Sequence, residues 1–150
     1  VSVYMGKGLF YYDKEKNKAL HEKNFLGEDF IIEFTPNIKW ELTQETKKIG
    51  TYNCFKAVTF KYITNRIGKK MKRKVVVWYT PNVAINSGIK EFQGLPGLIV
   101  LLEADGLIYK LKKIDLKPKV DFDIKKPTKG KTLSKKEYNN LLLNDYSRKF

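Results

Sequence analysis

The fold of this chain is decided by the stretch Gly94-Leu95-Pro96-Gly97-Leu98-Ile99 and by the apolar run that continues from it to Leu102. The two glycines can adopt positive φ, and the proline between them fixes its own φ and restricts the leucine before it. We therefore expect a rigid turn with few hydrogen bonds that directs the next strand into the core. Because the apolar run does not alternate with polar residues, both faces of that strand are predicted to be buried.

The composition fits one domain over residues 1–150, of which 42% are hydrophobic. A chain of this size buries about two-thirds of the surface that the unfolded chain exposes. No apolar run, including 98–102, is longer than five residues, far fewer than the roughly 18 that a membrane-spanning helix needs. We therefore expect a soluble domain, with any export signal removed or lying outside this chain.

Strand signals predominate in residues 1–118, which are predicted to form the sheet. Residues 38–42 alternate between apolar and polar side chains, as in a strand with one solvated face. Asp105-Gly106 lies between two apolar runs, which is a strong signal for a β-hairpin turn. The predicted strands cover residues 8–13, 29–34, 38–42, 52–63, 74–80, 98–103 and 107–116.

The pattern changes after residue 118. Residues 119–133 are rich in lysine and contain Pro127 and Gly130, which predicts a basic linker. Ser134 and Glu137 have the spacing of a capping box, and apolar residues then recur on one face, so a helix is predicted over 134–149. The predicted fold is mainly β: a curved antiparallel sheet or partly open barrel with one C-terminal helix.

The charge is strongly positive, with a formal net charge of +14. The segment 61–74 contains no acidic residue, and its basic side chains are candidates for binding an anionic surface. Two interpretations stay open: a solvated hairpin tip whose lysines discourage aggregation, or a binding site for anionic membrane or nucleic acid. Nucleic acid is the less favoured ligand, because lysine rather than arginine supplies the charge. The candidate residues are Lys61, Arg66, Lys69, Lys70, Lys72, Arg73 and Lys74.

Recognisable catalytic and metal-binding patterns are absent from the sequence. A single cysteine, Cys54, excludes an internal disulfide and a cysteine-based zinc site, and His21 is the only histidine. Asp121 and Asp123 lie in a polar stretch that would not raise the pKa of a general acid. Ser87 lacks the turn that exposes a nucleophile. The sequence thus predicts a non-enzymatic protein without cofactor or metal.

One resemblance rests on the hexapeptide 94–99 together with Trp78-Tyr79-Thr80-Pro81 upstream of it. Two further stretches contribute to the resemblance: Trp40-Glu41-Leu42-Thr43 and the block 49–57. In the family named below, the second block usually reads Gly-Tyr-x-Cys-x-Lys-Ala, whereas this chain has Thr51 between Gly50 and Tyr52. Over roughly residues 10–116 the chain resembles the GLPGLI family of bacterial envelope proteins from the Bacteroidota. The ten residues of the two motifs are treated as a structural signature.

The resemblance implies export to the periplasm or the outer-membrane periphery, and it supplies no catalytic residue. It therefore favours a domain that binds a partner protein or an apolar ligand, as an accessory of TonB-dependent outer-membrane transport. The expected partner is an outer-membrane or periplasmic protein. The alternative is an electrostatic binder of anionic membrane or nucleic acid through the lysine-rich surface.

Overall fold

The computed structural model describes residues 2–4, 8–65, 67–85, 88–117, 119 and 124–149. They form two compact units, Val1–Pro36 with Phe122–Phe150, and Asn37–Asp121. That residues 1–150 act as one domain stays a prediction. The elements are β1 Ser2–Tyr4, β2 Leu9–Asp13, β3 Lys18–Phe25, β4 Glu28–Phe34, β5 Glu41–Ile49, β6 Tyr52–Thr64, β7 Lys70–Thr80, β8 Leu98–Ala104, β9 Leu107–Lys110, β10 Lys131–Ser134 and α1 Lys135–Lys149.

The first unit contains a five-stranded sheet in the order β1-β2-β3-β4-β10. Its first four strands pair antiparallel, and β10 pairs parallel with β4. The capping box predicted for the helix is confirmed, since the Glu137 backbone N–H donates to Ser134 Oγ and the Ser134 N–H donates to Glu137 Oε2. The helix packs through Tyr138, whose ring meets Phe30 edge-on at 6.1 Å between centroids.

The second unit contains a five-stranded antiparallel sheet in the order β5-β6-β7-β8-β9. The predicted Asp-Gly hairpin is confirmed between β8 and β9, where Asp105 and Gly106 both have positive φ, +52° and +73°. Positive φ at both central residues is characteristic of a type I′ turn, whose twist matches that of the two strands that it connects.

Strand β8 is buried on both faces, as the sequence predicts. On one face Ile99 and Leu102 join a cluster with Val77 and Phe92. On the other, Val100 packs with a separate cluster, which includes Ile49, Cys54 and Trp78. The loop between β7 and β8 contributes to this burial, because its Phe92 and Leu95 side chains belong to the first cluster. These residues surround the strand that follows the hexapeptide with buried side chains on both of its faces.

The mainly β prediction with one C-terminal helix is confirmed, but several predicted elements were wrong in detail. Residues 37–40 are not a strand. Trp40 instead packs on the second unit's core and donates its indole N–H to the Gln93 carbonyl at 2.7 Å. Strand β9 ends at Lys110, well before residue 116, and β10 occupies the end of the predicted linker.

Among the described residues, no helix has both the length and the apolar character needed to cross a membrane.

Candidate functional site

The predicted basic segment forms the outer half of the β6–β7 hairpin. Its register places Lys61 opposite Arg73 and Tyr62 opposite Lys72. Because successive side chains of a strand point to opposite faces, these two pairs lie on different faces of the hairpin. The positive charge that is continuous in the sequence is therefore divided between two surfaces.

One surface, here termed the outer hairpin face, consists of Phe60, Tyr62, Lys70 and Lys72. Phe60 is 41% exposed and Tyr62 is 70% exposed. The Lys72 ammonium lies 4.0 Å from the centroid of the Phe60 ring, within the range of a cation–π interaction. This contact keeps an aromatic ring and a lysine together at the surface. The outer hairpin face thus offers apolar area and positive charge to the same partner.

The other surface contains a cleft of about 540 Å³, here termed the hairpin cleft. The Lys61 ammonium lies 3.2 Å from Asp105 Oδ2 and 3.7 Å from Glu91 Oε1, so its charge is balanced by two carboxylates. Within the described part of the chain, Arg73 and Lys74 have no such ion pair. The cleft is lined by Lys61, Ile63, Arg73, Lys74, Asp105 and Gly106.

The structure brings together only some of the seven predicted basic residues. Lys61, Arg73 and Lys74 line the hairpin cleft, and Lys70 and Lys72 belong to the outer hairpin face. Lys69 is exposed in the connecting turn, where its backbone N–H donates to Asn65 Oδ1 at 2.8 Å. Arg66, together with Ser87, Asp121 and Asp123, lies outside the described residues.

Sequence reasoning missed the acidic side chains of the hairpin cleft. The sequence pattern marks Asp105 only as a turn residue and does not distinguish Glu91 from other acidic residues. Both reach Lys61 from positions far along the chain. The Asp-Gly signal marks the turn, but no local pattern shows which strand lies beside that turn.

The two signature motifs meet in the structure. Thr80 lies opposite Leu98 in the β7–β8 register, and the backbone of Gly97 sits so close to the Thr80 carbonyl that a Cβ atom would clash with it. Positive φ is found at Gly94, +92°, but not at Gly97. The Leu98 N–H donates to the Val83 carbonyl at 3.1 Å, so this turn keeps a hydrogen bond to the preceding loop. The motifs close a buried corner of the second unit.

Cys54 and His21 lie in different units, in separate environments. Cys54 is fully buried, and this burial raises the pKa of its thiol, opposed by a hydrogen bond from the Ile49 backbone and by the nearby Lys47 charge. A raised pKa disfavours the thiolate that would act as a nucleophile or metal ligand. The His21 ring stacks on Phe10 at 3.7 Å between centroids. In the part of the chain that the structure describes, no three His, Cys, Asp or Glu side chains form a group that could hold a metal ion.

Comparison with known proteins links the chain to a family without an assigned activity. Residues 40–74 and 65–101 match the model of a family described as "Protein of unknown function (Porph_ging)". This family is associated with the Bacteroidota. The two matches overlap and cover less than half of the chain, from the segment before β5 into β8. No curated protein and no solved structure matches the chain significantly.

Proposed function

We propose that this chain is a non-enzymatic binding domain that docks an acidic partner protein on its outer hairpin face. The observation that carries the proposal is the exposed pair of Phe60 and Tyr62, set beside Lys70 and Lys72 on one side of the β6–β7 hairpin. Aromatic side chains are enriched at protein interfaces because they bury large areas at low entropic cost. The lysines favour a partner of opposite charge and speed its association.

The packing of β8 supports a protein partner over an apolar small molecule. Leu102 is fully buried and Ile99 nearly so, and both contact other core side chains. An apolar carrier would need a cavity along such a strand. The strand that follows the hexapeptide instead packs on both faces against buried side chains, so we place binding on the exposed aromatic area of the hairpin.

The location that we propose is the periplasm or the periphery of the outer membrane. Support comes from the match to a family associated with the Bacteroidota, and from the hexapeptide at 94–99, which is similar to the signature of the GLPGLI envelope proteins. A role as an accessory of TonB-dependent outer-membrane transport would give the domain an envelope partner.

A second candidate function is attachment to an anionic membrane surface. It is favoured by Ile67, which lies in the turn of the β6–β7 hairpin and is 80% exposed, close in sequence to Lys69 and Lys70. An apolar side chain flanked by lysines can insert at the lipid headgroup level while the lysines contact anionic lipids.

A charge-reversal experiment tests the proposal. A fluorescent acidic peptide rich in glutamate and leucine is titrated with the wild-type protein and with the double variant Lys70→Glu/Lys72→Glu. We expect the variant to bind at least tenfold more weakly, because it loses the charges beside the aromatic pair. The matched control is Lys112→Glu/Lys113→Glu, which makes the same change in net charge at two exposed positions and should bind within twofold of wild type.

Two results would contradict this assignment. Equal weakening by both double variants would show that net charge alone drives the interaction. Binding to vesicles of anionic phosphatidylglycerol, with no binding to the acidic peptide, would favour the membrane candidate instead. In that case Ile67→Ser should reduce vesicle binding.

A further inference from the structure

The hairpin cleft has a distribution of charge that the proposed docking function does not explain. By strand alternation, Lys61 and Arg73 lie on the side of the β6–β7 hairpin opposite to Tyr62 and Lys72. A partner that covers the outer hairpin face therefore does not occupy the cleft. Its volume of about 540 Å³ is in the range of sites that take small molecules.

The cleft contains a cross-strand pair of like charges. Lys61 and Arg73 are directly opposite each other in the antiparallel register. Like charges in this position destabilise a sheet, because the side chains are only about 5 Å apart at their Cβ atoms. The structure relieves Lys61 through Asp105 and Glu91. Among the described residues no carboxylate does the same for Arg73, so the cleft keeps an uncompensated cation.

We propose that the hairpin cleft binds a small molecule that carries a phosphate or carboxylate group, with Arg73 as the principal contact. A guanidinium presents parallel N–H donors that match two oxygens of such a group. Lys74 also lines the cleft, but its register position opposite Phe60 places its side chain on the outer hairpin face, so Arg73 is the cation that faces the ligand. The bound oxyanion offsets the repulsion between Arg73 and Lys61. Ile63 gives the cleft an apolar wall for the remainder of the ligand.

Asp105 has a distinct role in this site. Its carboxylate lies 3.2 Å from the Lys61 ammonium, and it faces the same cleft. It therefore competes with an incoming oxyanion for Lys61 and repels that oxyanion. Removal of its charge should improve binding, whereas removal of the Arg73 charge should weaken it. Opposite effects from two residues of one cleft distinguish a built site from general attraction to a basic protein.

The test uses the full chain and two separate probes, inorganic phosphate and succinate, at constant ionic strength. Binding is followed by NMR through the Gly106 amide and the Arg73 side-chain N–H signals. For at least one probe we expect shifts that saturate. Arg73→Gln should weaken this binding at least tenfold. Asp105→Asn should tighten it severalfold, and asparagine tolerates the positive φ of this turn position.

The matched control is Lys72→Gln, which removes one charge one position away in sequence but on the outer hairpin face. It should leave the affinity within twofold of wild type. The probe that saturates identifies the group as phosphate or carboxylate. The proposal is overturned if neither probe gives saturable shifts, or if Arg73→Gln and Lys72→Gln weaken binding equally. It is also overturned if Asp105→Asn, with unchanged thermal stability, binds no more tightly. None of these outcomes depends on the acidic-peptide titration, so the two proposals can fail separately.

Discussion

At Gly97 an added Cβ atom would clash with the Thr80 backbone carbonyl, whereas at Gly94 the surrounding space is open. The constraint at Gly94 is its φ of +92°, which side chains rarely adopt. The sequence indicates only that both glycines can adopt positive φ, because it does not show a close approach between segments distant in the chain. The same type of residue thus serves two physical purposes within one hexapeptide.

These purposes predict different responses to substitution. Gly97→Ala should lower the free energy of unfolding by about 1–3 kcal/mol, because the rigid backbone of Thr80 must shift. Gly94→Ala should cost about 1 kcal/mol or more through backbone strain, and Gly94→Asn should recover part of that loss because asparagine tolerates positive φ. Urea denaturation followed by tryptophan fluorescence measures both, since Trp40 and Trp78 lie in this unit. A Gly97→Asn variant as stable as Gly94→Asn would contradict this account.

At the scale of single elements, the helix α1 depends on a hydrogen-bonded carboxylate at its first turn. Hydrogen bonds from the backbone and then the side chain of Ser134 lower the pKa of Glu137; desolvation opposes them, and the charge of Lys131 adds the least to the lowering. A carboxyl whose pKa is depressed by folding adds stability above its unfolded pKa. That stability is lost as the pH falls through the folded value.

The helix should therefore weaken in acid through this residue. As the pH falls below the ordinary glutamate pKa of about 4.3, the wild-type protein should lose stability that Glu137→Gln already lacks at neutral pH. The difference between the two proteins should shrink toward low pH, because both then carry an uncharged side chain. Thermal unfolding followed by circular dichroism at 222 nm between pH 7 and pH 2.5 measures it. A difference that stays constant with pH would show that the charge of Glu137 is unimportant.

Local signals predicted some elements well and others poorly, for a physical reason. The Ser134 capping box and the Asp105-Gly106 turn depend on residues close in sequence, and both are confirmed. Strand β10 escaped prediction because its pairing with β4 is not encoded in its own short polar sequence. Residues 37–40 show the reverse error. The alternation there reflects burial of Ile38 and Trp40 against a core formed by other strands, without strand pairing of their own.

At the scale of the whole molecule, the net charge of +14 should govern how fast and how tightly acidic partners bind. We expect the affinity for the acidic peptide to fall steeply between about 50 and 300 mM salt, as the Debye length shortens from about 14 Å toward 6 Å. The Lys70→Glu/Lys72→Glu variant should show a weaker dependence. Fluorescence anisotropy at several salt concentrations measures both. Equal salt dependence in the two proteins would assign the attraction to the rest of the surface.

The candidate site could be predicted only in part at this scale. Sequence reasoning located the basic segment, since charge is a local property of the chain. It could not show that alternation assigns Tyr62 and Arg73 to opposite faces of the hairpin, or that Glu91 and Asp105 neutralise Lys61. Those facts depend on register and on contacts between distant segments.

The parallel pairing of β10 with β4 has a consequence for biosynthesis. Lys131 lies opposite Phe30, so the first sheet is completed only after residues up to Ser134 have left the ribosome. Until then β4 is an edge strand with unpaired backbone groups, and it is mostly apolar from Phe30 to Phe34. Closing so long a loop is entropically costly and slow relative to hairpin formation. A nascent chain halted before Lys131 would therefore present this edge to other copies, which exposes unfinished chains to aggregation.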